Sequence, residues 1–188
     1  MSLIEDVEAF ESWLRTQGPV VESGLVKKHR RMAQNAFRFF RATCFRVARR
    51  FATILPDLAG APAVPSVGDA HIENFGTWRD GEGRLVWGVN DYDEAAILPY
   101  PVDLVRLAAS ARLAAQLADR LPDGNRERSD AILDGYRRGL ASPGPVFVDD
   151  DRAWLRDLVH LAIDSAGGFR DELAKITEET PPAAVVDL

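Results

Sequence analysis

Two stretches, Gly68-Asp69-Ala70-His71-Ile72-Glu73-Asn74-Phe75-Gly76 and Gly88-Val89-Asn90-Asp91-Tyr92-Asp93-Glu94-Ala95, concentrate the side chains suited to proton transfer or cation binding. Thr77-Trp78-Arg79, Asp80-Gly81-Glu82-Gly83 and Arg84-Leu85-Val86-Trp87, lying between them, read as strand, turn and strand. Pairing Asp80 with Leu85 across that turn sets Asn74 opposite Asp91, with Cα atoms about 4.5–5.5 Å apart. A tighter or wider turn moves the register by about two residues and keeps both in one site. Asp69 stands five residues before Asn74 in a polar, glycine-containing loop, so it can return to the same mouth. Oxygen donors from an Asn and one or two Asp suit a hard cation such as Mg²⁺, which completes its shell with water and substrate phosphates. A carboxylate that does not hold the cation is free to accept a proton.

The spacing Gly68-Asp69-x-His71-x-x-Asn74 resembles the catalytic loop of the aminoglycoside phosphotransferase and choline kinase branch of the protein-kinase-like superfamily. Val89-Asn90-Asp91-Tyr92-Asp93 resembles the metal-binding segment that follows it there. A closer resemblance is to a bacterial family in that superfamily, the domain-of-unknown-function 2252 family. It is carried by Lys28, Met32, Phe37 to Arg41, Gly68 to Gly76, Asn90 to Ala95 and Asp103 to Ala108. The resemblance implies Asp69 as the base for an acceptor hydroxyl, and Asn74 and Asp91 as Mg²⁺ ligands, with Asp93 as a further ligand or orienting group. It implies that His71 supports the loop locally and that Asp103 braces it. Arg41 and Lys28 are candidates for binding phosphate, and a fixed Arg41 guanidinium could grip either a phosphate or Asp69.

The chain departs from these patterns in places. Val67 stands where kinase-like loops often carry a His, Ala42 where the family usually has Gly, and Asn35-Ala36 where it has Ser-Pro. The only lysines are Lys27, Lys28 and Lys175, and no glycine-rich phosphate loop followed by a strand lysine is present. In the resembled family those elements come later, in permuted order, so the resemblance implies the N-terminal half of a longer protein. A missing C-terminal half or a partner chain would then supply the nucleotide-holding part. The implied activity is Mg²⁺-dependent phosphotransfer from ATP or another nucleotide to an unknown acceptor. The alternatives are a catalytically silent pseudo-kinase-like binding module or fragment and, more weakly, a metal-dependent phosphohydrolase using Asp69, Asp91 and Asp93 to activate water.

At 188 residues the chain suits one lobe with a substantial core. A single cysteine, Cys44, excludes an intrachain disulfide. No apolar run reaches membrane-spanning length and no secretory leader is legible, so a cytoplasmic protein without a membrane partner is expected. The net charge of −6 conceals an asymmetry: from Ser23 to Pro56 lie nine Lys and Arg and no Asp or Glu. Such a block can face nucleic acid, a membrane or a phosphate, or neutralise carboxylates of its own fold. The acid-rich motif region favours the last two, and no nucleic-acid partner is expected.

The elements that must position these groups read as helices around the hairpin. Ser2 and Glu5 form a capping box for a helix that ends before Gly18-Pro19. A second helix is expected from about Val26 to Leu55, with Phe37, Phe40, Cys44, Val47, Phe51 and Leu55 as its apolar stripe. Trp78 and Trp87 are expected to pair across the hairpin. Pro101 opens a helix from about 102 to 121 with Leu104, Leu107, Ala108 and Ala111 inward, and another reaches about Leu140. Later helices are expected from Asp149 or Asp150 to Gly167-Gly168 and over Phe169–Glu179. The expected fold is mainly α (α+β), resembling kinase-like large-lobe helices around one small β-hairpin that carries the catalytic loop. It divides into basic helices over 1–56, the loop and hairpin over 57–98, a helical part over 99–180 and a tail over 181–188.

Overall fold

The computed structural model describes residues 2–118 and 125–148; the helices expected after Asp149 and the tail lie outside the described residues. The protein is mixed α+β, mainly helical, with two small antiparallel sheets where the sequence suggested a single hairpin. Its chain divides into two compact units, residues 1–76 with 89–144, and residues 77–88 with 145–188.

In the first unit, helix α1 (Leu3–Gln17) begins with the expected capping box: the Ser2 hydroxyl accepts from Glu5 N and the Glu5 carboxylate accepts from Ser2 N. The long second helix is instead three: α2 (Glu22–Met32), α3 (Ala36–Arg41) and α4 (Cys44–Ile54). Local hydrogen bonding breaks it. Asn35 takes an extended backbone and its side chain accepts from Arg38 N at 2.9 Å, starting a new helix. The Thr43 hydroxyl donates to the Phe39 carbonyl at 2.9 Å and turns the chain again before α4. Phe37 and Phe51 remain buried, so the apolar stripe survives the breaks. The short helix α5 (Pro56–Ala59) leads to β1 (Ala63–Ser66).

Strand β1 pairs antiparallel with β4 (Ala96–Pro99), Ser66 facing Ala96 and Ala63 facing Pro99. A 3₁₀ turn, Ile72–Asn74, precedes β2 (Phe75–Arg79), which pairs with β3 (Leu85–Val89). These pairings fix the two motifs. The first motif runs from the end of β1 to the start of β2, the second from the end of β3 to the start of β4, and antiparallel pairing sets their ends side by side. The register differs from the expected one by a residue. Asp80 N donates to Arg84 O at 3.0 Å, and Asn90 N donates to Asn74 O at 2.9 Å, so Asn74 faces Asn90 instead of Asp91. The Asp80 carboxylate causes the shift by accepting from Glu82 N and Arg84 N, tightening the turn around Gly83.

In the second unit, β3 also pairs with β5 (Val146–Phe147), and the Arg84 guanidinium lies over the Phe147 ring. Trp78 covers Gly88, whose missing side chain makes room for the indole. In the first unit, α6 (Pro101–Leu117) and α7 (Asn125–Ala141) follow, joined through stacked Tyr100 and Tyr136 rings. The inward face of α6 is not the expected one. Val102, Arg106 and Ser110 are almost wholly buried, whereas Leu104, Leu107, Ala108 and Ala111 are half-buried. No helix among the described residues is long and apolar enough to cross a membrane.

Candidate functional site

Helix α6 holds the first motif from below through a polar row at helical spacing, Asp103, Arg106 and Ser110. The Asp103 carboxylate accepts from Val67 N at 2.7 Å and Gly68 N at 3.0 Å. The Ser110 hydroxyl accepts from Ile72 N at 3.1 Å and donates to Leu107 O at 2.8 Å. Three loop amides that no strand could satisfy thus find partners on one helix. Gly68 sits at φ +84°, and any Cβ there would collide with the Glu94 carbonyl. The glycine therefore serves both the left-handed backbone and the close approach of the two motifs.

The central contact is between Asp69 and Arg106. The guanidinium donates to Asp69 Oδ1, is 1% exposed, and rests on the Phe40 ring at 4.3 Å from its centroid. Its Nε and remaining amino nitrogen have no hydrogen-bond partner, so Asp69 carries the polar side of its environment. His71 Nε2 lies 3.5 Å from the other Asp69 oxygen, and its ring packs edge-on against Phe37. Burial holds the His71 pKa below its ordinary value, against the opposing pull of Asp69. Neutral imidazole is favoured there.

Asn74 is buried, and its amide is spent on backbone: Oδ1 accepts from Asp91 N at 2.8 Å, while Nδ2 donates to Asp91 O at 2.9 Å and Asp69 O at 3.3 Å. It ties the two motifs together in place of cross-strand pairing. Asp93 N donates to Asp91 Oδ1 at 3.1 Å, an Asx turn that places Asp91, Asp93 and Glu94 on successive exposed positions. Burial, together with the charges of Asp69, Asp91 and Asp93, raises the Glu94 pKa. Among the described residues, no three His, Cys, Asp or Glu side chains already converge at metal-ligand spacing.

A cavity of about 800 Å³ opens over this cluster, wholly within the first unit. One wall is acidic: Asp69, Glu73, Asp91, Asp93 and Glu94. A basic wall is built from α2 and α3: Lys27, Lys28, Arg31, Arg38 and Arg41. Arg41 bridges the two through a 2.8 Å ion pair with Glu73, and Asp69 is held by Arg106 instead. The Lys28 ammonium lies 5.5 Å from the Phe10 ring centroid. A smaller, largely apolar cavity of about 340 Å³ adjoins it beside Phe10, Phe45, Cys44 and Leu98. Burial pushes the Cys44 thiol up to about 11, which leaves it protonated and inert near neutral pH.

The structure thus brings Asp69, His71, Asn74, Asp91, Asp93 and Asp103 into one locality, with Arg41 and Lys28 on the rim. The sequence reading passed over Arg106, Ser110 and Glu94 as site residues. For the first two a signal existed: a polar residue recurring every three or four positions through an otherwise apolar helix marks a buried polar face.

No curated protein and no solved structure matches the chain. The family profile described as an uncharacterized protein conserved in bacteria, DUF2252, matches residues 20–165, a span that holds both motifs, the basic wall and helix α6. The chain belongs to that family.

Proposed function

We propose that this protein is a kinase-like phosphotransferase that requires a divalent cation, Mg²⁺ by the hardness of its donors, and transfers a phosphoryl group from a nucleotide to an acceptor hydroxyl. The observation that carries the reading is one cavity lined both by carboxylates of the two motifs and by guanidinium and ammonium groups of α2 and α3. Phosphoryl transfer needs both: hard oxygens for a cation that bridges phosphates, and fixed positive charge for the oxygens of the transferred group.

The donor set fits the cation. Asp91 and Asp93 are exposed carboxylates two residues apart, the hard oxygen donors such a cation takes. Asp91 and Asp93 would hold it, and Asn74, whose Oδ1 accepts from Asp91 N, would fix the Asp91 backbone beside them. When bound, the cation would neutralise charge on the phosphates. Asp69 receives the acceptor proton on the oxygen that Arg106 does not hold, as the acceptor oxygen bonds to phosphorus and the bond to the leaving phosphate oxygen breaks. Neutral His71 adds no charge beside it. Asp103 and Ser110 keep the loop from shifting while this happens.

A second reading, a catalytically silent binding module, is favoured by the Asp69–Arg106 pair, because the carboxylate that would take the acceptor proton is already engaged by a buried guanidinium. Calorimetry of Mg²⁺–ATP binding to the chain and to Asp91→Ala decides between them, followed by phosphotransfer assays with Asp69→Asn. Binding that vanishes in Asp91→Ala, with turnover that vanishes in Asp69→Asn, supports the enzyme. Binding that persists in Asp91→Ala, or turnover untouched by Asp69→Asn, removes it.

A further inference from the structure

The run of cations between Ser23 and Pro56 is divided by its partners. Arg46 and Arg50 close on buried Asp6 of α1 at 2.8 and 3.0 Å, and the Arg46 hydrogen bond, foremost among the causes, lowers the Asp6 pKa. Arg41 is held by Glu73 and Arg38 by the Gln34 side chain. Lys27 and Arg31 are different. They are exposed, both line the cavity, and neither side chain has a hydrogen bond or ion pair among the described residues. Four residues apart on α2, they lie on one helix face about 5–6 Å from each other at Cβ. Like charges at that spacing oppose helix formation, and no acid within the run offsets them.

We infer that this basic wall is a phosphate subsite: Lys27 and Arg31, continued by Arg38, take two or more linked phosphates of a small ligand directly, with no metal ion between. Two unpaired cations one helical turn apart match linked phosphates better than a single anion. The five carboxylates that share the cavity lining argue against nucleic acid, since a long polyanion would have to lie against them whereas a short phosphate chain needs only the basic side chains. The inference deepens the phosphotransferase reading by saying where the donor's phosphates rest, on side chains of α2 and α3.

The test is calorimetric titration of inorganic tripolyphosphate into the full chain with EDTA present, repeated with Lys27→Ala/Arg31→Ala, with Lys27→Gln alone and with Asp91→Asn. Expected are binding that weakens with added salt, a loss of at least tenfold in the double variant, a smaller loss in Lys27→Gln, and affinity unchanged or improved in Asp91→Asn. Absence of binding, or equal affinity in the wild type and both basic-wall variants, overturns the subsite. Tighter binding of a single-stranded oligonucleotide than of tripolyphosphate overturns it in favour of nucleic acid. The two readings fail separately: tripolyphosphate binding here needs no metal and no Asp91, while the phosphotransferase reading stands on Mg²⁺–ATP binding that Asp91→Ala abolishes.

Discussion

Helix α6 and the basic wall of α2 and α3 both carry polar and charged side chains, and they do so in opposite conditions. On α6 the polar groups are buried or half-buried and engaged with the fold: Asp103 on two loop amides, Ser110 on a third, Arg106 on Asp69 through one nitrogen. On α2, the Lys27 and Arg31 side chains are exposed and have no partner among the described residues. A buried charge must be compensated when the chain folds, so its partners are part of the fold. An exposed one need not be, so its arrangement is open to a ligand. Polarity alone therefore does not mark function; unspent polarity beside a cavity does.

Arg106→Leu breaks the comparison hardest. It leaves the Asp69 carboxylate, 14% exposed, without its guanidinium, and the loss of stability should be about 3–5 kcal/mol, read as a lowered urea midpoint. Restored stability in Arg106→Leu/Asp69→Asn would assign that loss to the stranded charge; equal loss in both would assign it to packing against Phe40. Asp103→Ala comes next, stranding Val67 N and Gly68 N, at about 2–3 kcal/mol. Gly68→Ala should cost about 2 kcal/mol, because its φ of +84° and the Glu94 carbonyl both exclude a methyl group.

The pH dependence of His71 is a smaller effect with a fixed sign. Its folded pKa lies below the ordinary value of 6.5, so as pH falls through that value the unfolded chain takes up a proton that the folded chain resists. Stability should decline from pH 7 towards pH 5, and His71→Gln should flatten that decline in thermal melts. A melting temperature that rises on acidification in the wild type, and loses that rise in His71→Gln, would show the imidazole charged in the fold. At the bottom of the scale, Lys27→Ala/Arg31→Ala should alter stability by no more than about 0.5 kcal/mol, as expected of exposed, unpartnered side chains. A larger loss would mean these cations are as spent as those of α6.

Much of this was open to a reading of residues. The Ser2–Glu5 capping box, the helix stops at Gly18-Pro19 and the hairpin around Asp80–Arg84 rest on interactions within a few residues. The gathering of Asp69, Asn74 and Asp91 followed from the hairpin's length. Less legible were the breaks at Asn35 and Thr43, where side chains compete with the helix for backbone groups inside a run whose apolar spacing barely changes. The one-residue shift of Asn74 depended on how many amides a single Asp80 carboxylate collects.

The sequence by itself determined which side chains exist to do chemistry, where the first helix and the hairpin turn begin by local capping and turn residues, and that the cations of the Ser23–Pro56 run lie apart from the acids of the two motifs. Only the tertiary structure decided which of them meet. That Arg106 and not Arg41 holds Asp69, that Arg41 goes to Glu73, and that Asn74 is consumed by the Asp91 backbone are outcomes of packing α6 and α3 against one loop. The reason is physical: a charge left in a low-dielectric interior takes whichever partner the packing brings within reach, and that reach depends on elements far apart in the chain.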